Sequence, residues 1–556
     1  MTVAFDEKGT VKAMHSLRHS NSKKSFFSGV LLLTLSTVSV KVIGLIYKIP
    51  MLAYLGSEGM GYFNSAYEIY ALFCVIATAG LPVALSVLIS SALARGEAAE
   101  VGRIFRAATW IFFFIGILGS AVMVAFARHF CAFLKSDGAY ASLLAISPTV
   151  FLICISSALR GYFQGFGEML PTALSQVLES VGKLAFGLLL ARFALNRGYD
   201  TPTVAAFAGI GLTLGTLLSV GYLLIKKSRF YRERQILDAL PSYTSVWRTL
   251  AKLAVPLTLG ASLVSITKLI DMSMILRRLQ SIGFSEVQAN RAYGSYTTLA
   301  LSVFGLLPTL LNSVALPLVP SLSGAIAEGN VEKQRVMIRL SYRLTAIFSI
   351  PAAMVISAFS HPVLSLLFGH DAEAVNVAAP LLSYLGVSVF LSCMITATNS
   401  VLHAYRIVNK PILSMLAGAI VKIIAAYILI GNPKIGIMGA PISTFLCNLT
   451  VVFFNLAFAF RLCSINDLLS ILLRPTLSAA LSVGISVIGY RYFLERLGQG
   501  SVLILTVLSF VVILYLLFAC LTRAITANDV REMPFGDRLC RILSRIGLLH
   551  DEKTYE

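Results

Sequence analysis

The stretch LTLSTVSVKVIGLIYKIPML, Leu33 to Leu52, is long and apolar enough to cross a bilayer, yet it contains Lys41 and Lys48. Seven residues apart on a helix, the two ammonium groups fall on nearly the same face. A hydrocarbon core about 30 Å thick takes roughly 20 apolar residues per crossing. A lysine at the centre of a span costs at least ~2.5–3.5 kcal/mol to insert, so a wet cavity or a carboxylate partner is expected and a lipid-facing position is not.

The rest of the chain has the same character. Its 556 residues are 57% hydrophobic and only 13% charged, with a mean hydropathy of +0.82, values that exclude a soluble domain of this length. Span-length apolar stretches recur at about 28–55, 62–93, 104–127, 140–163, 171–194 and 203–225, then at 251–276, 292–322, 340–368, 376–403, 410–431, 436–460, 468–493 and 501–523. The expectation is an all-α polytopic membrane protein with fourteen transmembrane helices. The polar start MTVAFDEKGTVKAMHSLRHSNSKK leads into an apolar run too long for a signal-peptide core, so the first span reads as permanent.

Orientation follows from the basic residues. With the N-terminus inside, cytoplasmic segments hold 30 of the 45 Lys and Arg, the opposite side holds 10, and five lie within spans. Both termini are therefore expected in the cytoplasm of a cell-membrane protein. The net charge of +19 reflects this topology and contact with anionic membrane lipids, with nucleic acid excluded as a partner. Eight cysteines without a CxxC pair suggest neither a disulfide framework nor a metal site, and no cofactor is implied.

The most basic loop begins at Lys226, between spans six and seven, and reads as a linker. The flanking halves resemble each other: YALFCVIATAGLP, Tyr70 to Pro82, matches YTTLALSVFGLLP, Tyr296 to Pro308, in length and in both end residues. The predicted organisation is a cytoplasmic tail (1–25), an N-lobe of six spans (26–225), a linker (226–250), a C-lobe of six spans (251–460), two further spans (461–524) and a cytoplasmic tail (525–556). Two six-helix lobes that both start inside form a parallel pseudo-two-fold repeat, with a central cavity expected between them.

The intramembrane lysines follow the same register. Lys41 precedes Tyr70 by 29 residues and Lys268 precedes Tyr296 by 28, while Lys183 follows Pro171 by 12 and Lys422 follows Pro411 by 11. At ~1.5 Å per residue, Lys183 and Lys422 lie about 16–18 Å from the cytoplasmic ends of their spans, too deep to snorkel easily, and Lys41 lies about 22 Å from the outer end. Glu179 is one turn from Lys183 and Asp271 three residues from Lys268, so each is expected to pair with that lysine, leaving Glu68 for Lys41 or Lys48. Five lysines against three carboxylates leave a surplus of two positive charges, which implies an anionic visitor. Lys41, Lys48, Lys183, Lys268 and Lys422 are thus candidate substrate-binding residues, with Glu68, Glu179 and Asp271 balancing charge or coupling an ion, and Arg277 and Arg278 at the outer rim.

ALRGYFQGFGEMLPTALSQVLES (Ala158–Ser180), YLGSEGMGYFNSAYEIY (Tyr54–Tyr70) and the series LIDMSMILRRL, AYGSY, LLPTLL and LPLVPSLSG (Leu269–Gly324) resemble the oligosaccharide flippase branch of the multidrug/oligosaccharidyl-lipid/polysaccharide exporter superfamily. Within that branch the likeness is to the sporulation and Gram-positive lipid II flippase groups. The resemblance implies alternating access by two lobes that move an undecaprenyl-pyrophosphate-linked oligosaccharide, with cationic cavity residues, including those of the first span, holding the pyrophosphate. It also implies a lipid groove at spans thirteen and fourteen. Gram-negative lipid II flippases are similar at GLIYKIPMLAYLG but carry Arg-Asp where this chain has Tyr47-Lys48, so their site chemistry does not carry over.

Lysine suits a pyrophosphate that must be released, being a mobile point charge with three donors. An ion-coupled multidrug exporter of the same superfamily is the alternative; exporters of cations would use cavity carboxylates, and the lysine excess argues against it. A membrane enzyme would need a clustered acid and base, and His361, His370 and His403 have no such spacing. The chain is read as a monomeric non-enzyme without a GxxxxGK[ST] nucleotide loop, so an ion gradient or the membrane potential is the expected drive. In the C-terminal tail, Phe535, Leu539, Ile542, Ile546 and Leu549, with Arg538, Arg541 and Arg545 beside them, predict an amphipathic helix lying on the cytoplasmic leaflet.

Overall fold

A computed structural model describes residues 7–95, 98–230, 243–309, 318–407, 409–462, 468–497, 500–522 and 524–525. The amphipathic tail expected at residues 535–549 and residues 231–242 of the linker lie outside them. Among the described residues there are no strands, and every predicted span overlaps a helix. Among the described residues, ten helical stretches are long and apolar enough to cross a membrane by length and composition.

The first of these, Leu35–Ala94, is 60 residues long, far more than one crossing needs. Helix α1 (Glu7–Thr78) contains a non-helical Gly56 with φ 63° and ψ 176°, a conformation open to a residue without Cβ. The chain folds back there: Tyr47 and Tyr67, on either side, both bring their rings to Lys183. A second break at Ala79–Gly80 precedes α2 (Leu81–Ala94), whose Pro82 sits in the first turn where its missing N–H costs nothing. Then come α3 (Ala98–Ala125), α4 (Ala127–Leu134), α5 (Tyr140–Gly165), α6 (Leu170–Asn196), α7 (Thr201–Phe230) and α8 (Tyr243–Ser281).

Beyond α8 lie α9 (Glu286–Ser295), a π-helical turn at Tyr296–Ala300, and α10 (Leu301–Phe304). They are followed by α11 (Leu318–Ala327), α12 (Val331–Ala358), α13 (Ser360–Phe368), α14 (Ala372–Ala404), α15 (Asn409–Ile430), α16 (Gly439–Leu462), α17 (Leu468–Leu497) and α18 (Ser501–Leu521). The two sequence-similar stretches break alike. Helix stops at Gly80 before Leu81-Pro82 and at Gly305 before Leu306-Leu307-Pro308.

The chain forms two compact units, one of residues 1–54 and 65–269, the other of residues 55–64 and 270–556. The division falls inside α8, because the first half of that helix is built to pack on the first unit. Trp247 donates its indole N–H to the Ala107 carbonyl at 3.0 Å. Val246, Leu250 and Ala254 share a core with Phe105, Phe112 and Tyr162, and a side chain at Gly80 would strike the Ala254 carbonyl. In the second unit, the segment at 55–64 lies against α9: Gly61 and Gly294 allow backbone approach to Asn290 and Ser57, and Asn64 donates to Thr297 and Thr298 at 2.8 and 2.9 Å.

Candidate functional site

The first unit gathers four of the five intramembrane lysines. Lys41 and Lys268 lie within electrostatic reach of each other, and Lys48 lies within reach of Lys41, Lys183 and Glu68. Lys41 and Lys268 are exposed on the protein surface, while Lys48 and Lys183 are half-buried.

Lys183 is placed by glycines. On α7, GLTLG (Gly211–Gly215) has the small-x-x-x-small spacing that lets membrane helices approach closely. Gly215 faces the backbone of Gly182 and Lys183, and Gly211 faces Gly187. The ring of Tyr47 occupies the space a side chain at Gly187 would fill. The Lys183 ammonium therefore comes to lie 5.0 Å from the centre of the Tyr47 ring and 4.8 Å from that of Tyr67. Such contacts contribute about 0.5–2 kcal/mol to holding a partly desolvated cation.

The expected Glu179–Lys183 ion pair is replaced by another. Arg160 on α5, which was not counted among the five basic residues within spans, points inward and donates from Nη2 to Glu179 Oε2 at 2.7 Å, with the two side chains 11% and 19% exposed. The same guanidinium donates to Ser219 Oγ at 3.2 Å and, through Nε, to Ser175 Oγ at 2.9 Å. A planar fork of donors fits this three-way arrangement better than an ammonium would. Glu179 still acts electrostatically on Lys183, but its short hydrogen bond goes to arginine. Arg160 lies five residues before the end of α5 in a stretch rich in small residues, and that position was the available signal of its burial.

The expected Asp271–Lys268 pair is also corrected. Asp271 Oδ2 accepts a hydrogen bond from Lys422 Nζ at 2.9 Å, an interhelical bridge within the second unit between side chains 15% and 17% exposed. Two half-buried charges on packed helices compensate each other's desolvation, whereas Lys268 is exposed on α8. Lys422 thus stands with Asp271 in the second unit, apart in membership from the four lysines of the first. Of the outer arginines, Arg277 is exposed, and Arg278 stacks 4.1 Å over the Tyr427 ring and donates to the Tyr427 carbonyl at 3.1 Å. Among the described residues no group of three or more His, Cys, Asp or Glu could hold a metal ion.

Residues 26–326 match the polysaccharide biosynthesis protein family. The chain belongs to that family. Its relatives include stage V sporulation protein B of Bacillus subtilis (strain 168), 26% identical over 76% of this chain and 81% of the relative. Lipid II flippase MurJ of the same organism is 23% identical over 71% and 76% of the two chains. Residues 256–428 also match MatE, and the chain shares its fold with solved transporters of the MOP superfamily. Lipid II flippase MurJ in an inward closed conformation superposes with a TM-score of 0.68 at 16% identity, covering 88% of this chain and 98% of that one. An inward-facing multidrug resistance MATE family transporter of the MOP superfamily does so with a TM-score of 0.63 at 13% identity, covering 80% and 98%. A multi-pass membrane protein of transporter fold accounts for these observations together.

Proposed function

We propose that this protein is a flippase for an undecaprenyl-pyrophosphate-linked oligosaccharide, a lipid II-like precursor or related polysaccharide unit, working by alternating access of two six-span lobes within a fourteen-span chain. The observation that carries the reading is the cationic cluster of the first unit: Lys41, Lys48, Lys183, Lys268 and Arg160 against Glu68 and Glu179. A diphosphate supplies the countercharge such a cluster calls for, and in a low-dielectric setting the attraction is far larger than in water. Arg160 engages Glu179 and so reduces its competition for Lys183. In the second unit, Asp271 and Lys422 are the charge-balancing pair, and an ion gradient or the membrane potential supplies the drive.

The family match and the relatives named as flippases support the same reading. Multidrug export is the weaker alternative, because a lysine-rich cluster repels the cationic compounds such exporters carry. The test is transport of a fluorescent lipid-linked oligosaccharide in proteoliposomes by Lys41→Ala and Lys268→Ala. Each substitution is expected to abolish translocation without lowering expression. Normal flipping by the double variant would refute the assignment.

A further inference from the structure

The stretch at residues 231–242 is bounded by two sets of contacts that lead back to the same place. At the end of α7, the Lys227 ammonium lies 3.7 Å from the centre of the Phe105 ring and 5.7 Å from that of Tyr162. The Phe230 ring packs edge-on against Phe163 and Phe166, at 5.6 and 5.4 Å. At the start of α8, the Arg103 guanidinium lies over the Tyr243 ring at 4.8 Å, and Trp247 donates to the Ala107 carbonyl at 3.0 Å. Arg103, Phe105 and Ala107 all belong to α3, within about 6 Å of one another along the axis at ~1.5 Å per residue. Cations over rings and an indole N–H on a carbonyl fix direction as well as distance. Both ends of the stretch are thus fastened to one place on α3, inside the first unit.

The chain passes from one unit to the other elsewhere: within α1, at residues 54–55 and 64–65, and within α8, at residues 269–270. A chain cut between residues 231 and 242 would therefore fall into two parts that have each placed a segment in a unit made mainly by the other. The C-terminal part supplies residues 243–269 to the first unit, where Val246, Leu250 and Ala254 are buried with Phe105, Phe112 and Tyr162. The N-terminal part supplies residues 55–64 to the second unit, where Gly61 lies against the Asn290 carbonyl and Asn64 donates to Thr297 and Thr298. Close packing and interhelical hydrogen bonds of these kinds are what hold helices together in a membrane. We propose that the two sequence halves are bound to each other by this exchange of segments, so that the covalent link at residues 231–242 is dispensable and each half is a binding partner for the other.

The test uses the full chain with a protease recognition sequence inserted after Asp238 and an affinity tag at the C-terminus, purified uncut in mild detergent and then cleaved. The fragment carrying residues 1–238 is expected to stay on the affinity column with the tagged fragment, in equal amounts. Its loss in the wash would overturn the proposal. Trp247→Ala with Leu250→Ala, which strips anchors from the α8 segment, is expected to speed the loss of the untagged fragment from the cut protein about tenfold, a weakening of roughly 1.4 kcal/mol. The uncut double variant should keep a single elution peak. Asn64→Ala, on the other exchanged segment, is expected to give a smaller loss in the same direction, and it serves alone if the double variant does not fold uncut. Retention unchanged by substitutions in both segments would also overturn the proposal, because something other than the exchanged segments would then hold the halves. No substrate enters the readout, so the outcome is independent of the flippase assignment.

Discussion

Lys183 and Lys422 stand at nearly the same distance after a proline near the start of their helices, 12 and 11 residues, but their settings are opposite. Lys422 is bridged to Asp271 from another helix. Lys183 lies over two tyrosine rings, and the nearest acid on its own helix accepts its short hydrogen bond from an arginine. The same lysine position is thus paired with a carboxylate from another helix in one unit and set against two tyrosine rings, within electrostatic reach of Lys48 and Glu179, in the other. What sets the difference is not the lysine but which helix brings the acid, and whether another cation has already taken it.

Removing one partner from each arrangement should therefore have very different consequences. The largest expected effect is at Lys422→Ala, which strands Asp271 as a half-buried carboxylate and should destabilise the protein by about 3–5 kcal/mol. Lys422→Met combined with Asp271→Leu, which removes both charges, should recover most of that loss. Thermal melting of the detergent-solubilised protein reports both. If Lys183→Met proved equally destabilising and equally rescued by Glu179→Leu, the contrast between the units would be lost.

Arg160→Ala ranks next. It removes three hydrogen bonds, one of them to a charged partner, and leaves Glu179 in need of a cation, at a cost of about 1.5–3 kcal/mol. Glu179 should then turn to Lys183 and lower transport more than the stability loss alone would. Glu179→Gln in the same background should restore transport ahead of stability, as seen by comparing proteoliposome flipping with melting temperature. Arg160→Lys keeps the charge but not the fork, and should fall between.

The helices were legible because burial in lipid leaves periodicity and length as strong signals, and the predicted spans overlap the observed helices throughout. The lysines of the cluster were legible too, since a charge in an apolar run of 20 residues stands out without knowledge of its neighbours. Their partners were not. Glu179 and Asp271 were assigned to lysines on their own helices, the only geometry a single sequence exposes, whereas the bridges that form are interhelical and depend on how α5, α6 and α7, or α8 and α15, pack. Arg160 was missed for a related reason: near a helix end an arginine reads as a solvated loop residue, and only the serines on α6 and α7 reveal that it turns inward.

Gly215→Ala tests whether helix approach positions Lys183. The added Cβ would meet the backbone of Lys183 and Glu179, and overpacking of this kind costs about 1–3 kcal/mol. The expected signature is a transport loss that Gly182→Ala reproduces, because both residues sit at the same α6–α7 crossing. Unchanged transport in both would mean that Lys183 does not depend on that contact.

The smallest expected effect distinguishes the aromatic setting of Lys183 from a simple apolar one. Tyr67→Phe keeps a π face over the ammonium and should leave substrate affinity nearly unchanged, whereas Tyr67→Leu removes it and forfeits about 0.5–2 kcal/mol of cation stabilisation. That corresponds to a change of roughly twofold to thirtyfold in the affinity of whatever depends on the position of Lys183. In the second unit, Tyr296→Leu provides no such loss through a lysine, because Lys422 is held by a carboxylate. Half-saturation for the lipid-linked substrate should therefore shift for Tyr67→Leu and stay put for Tyr67→Phe. Equal shifts in both variants would assign the effect to the hydroxyl and remove the ring from the argument.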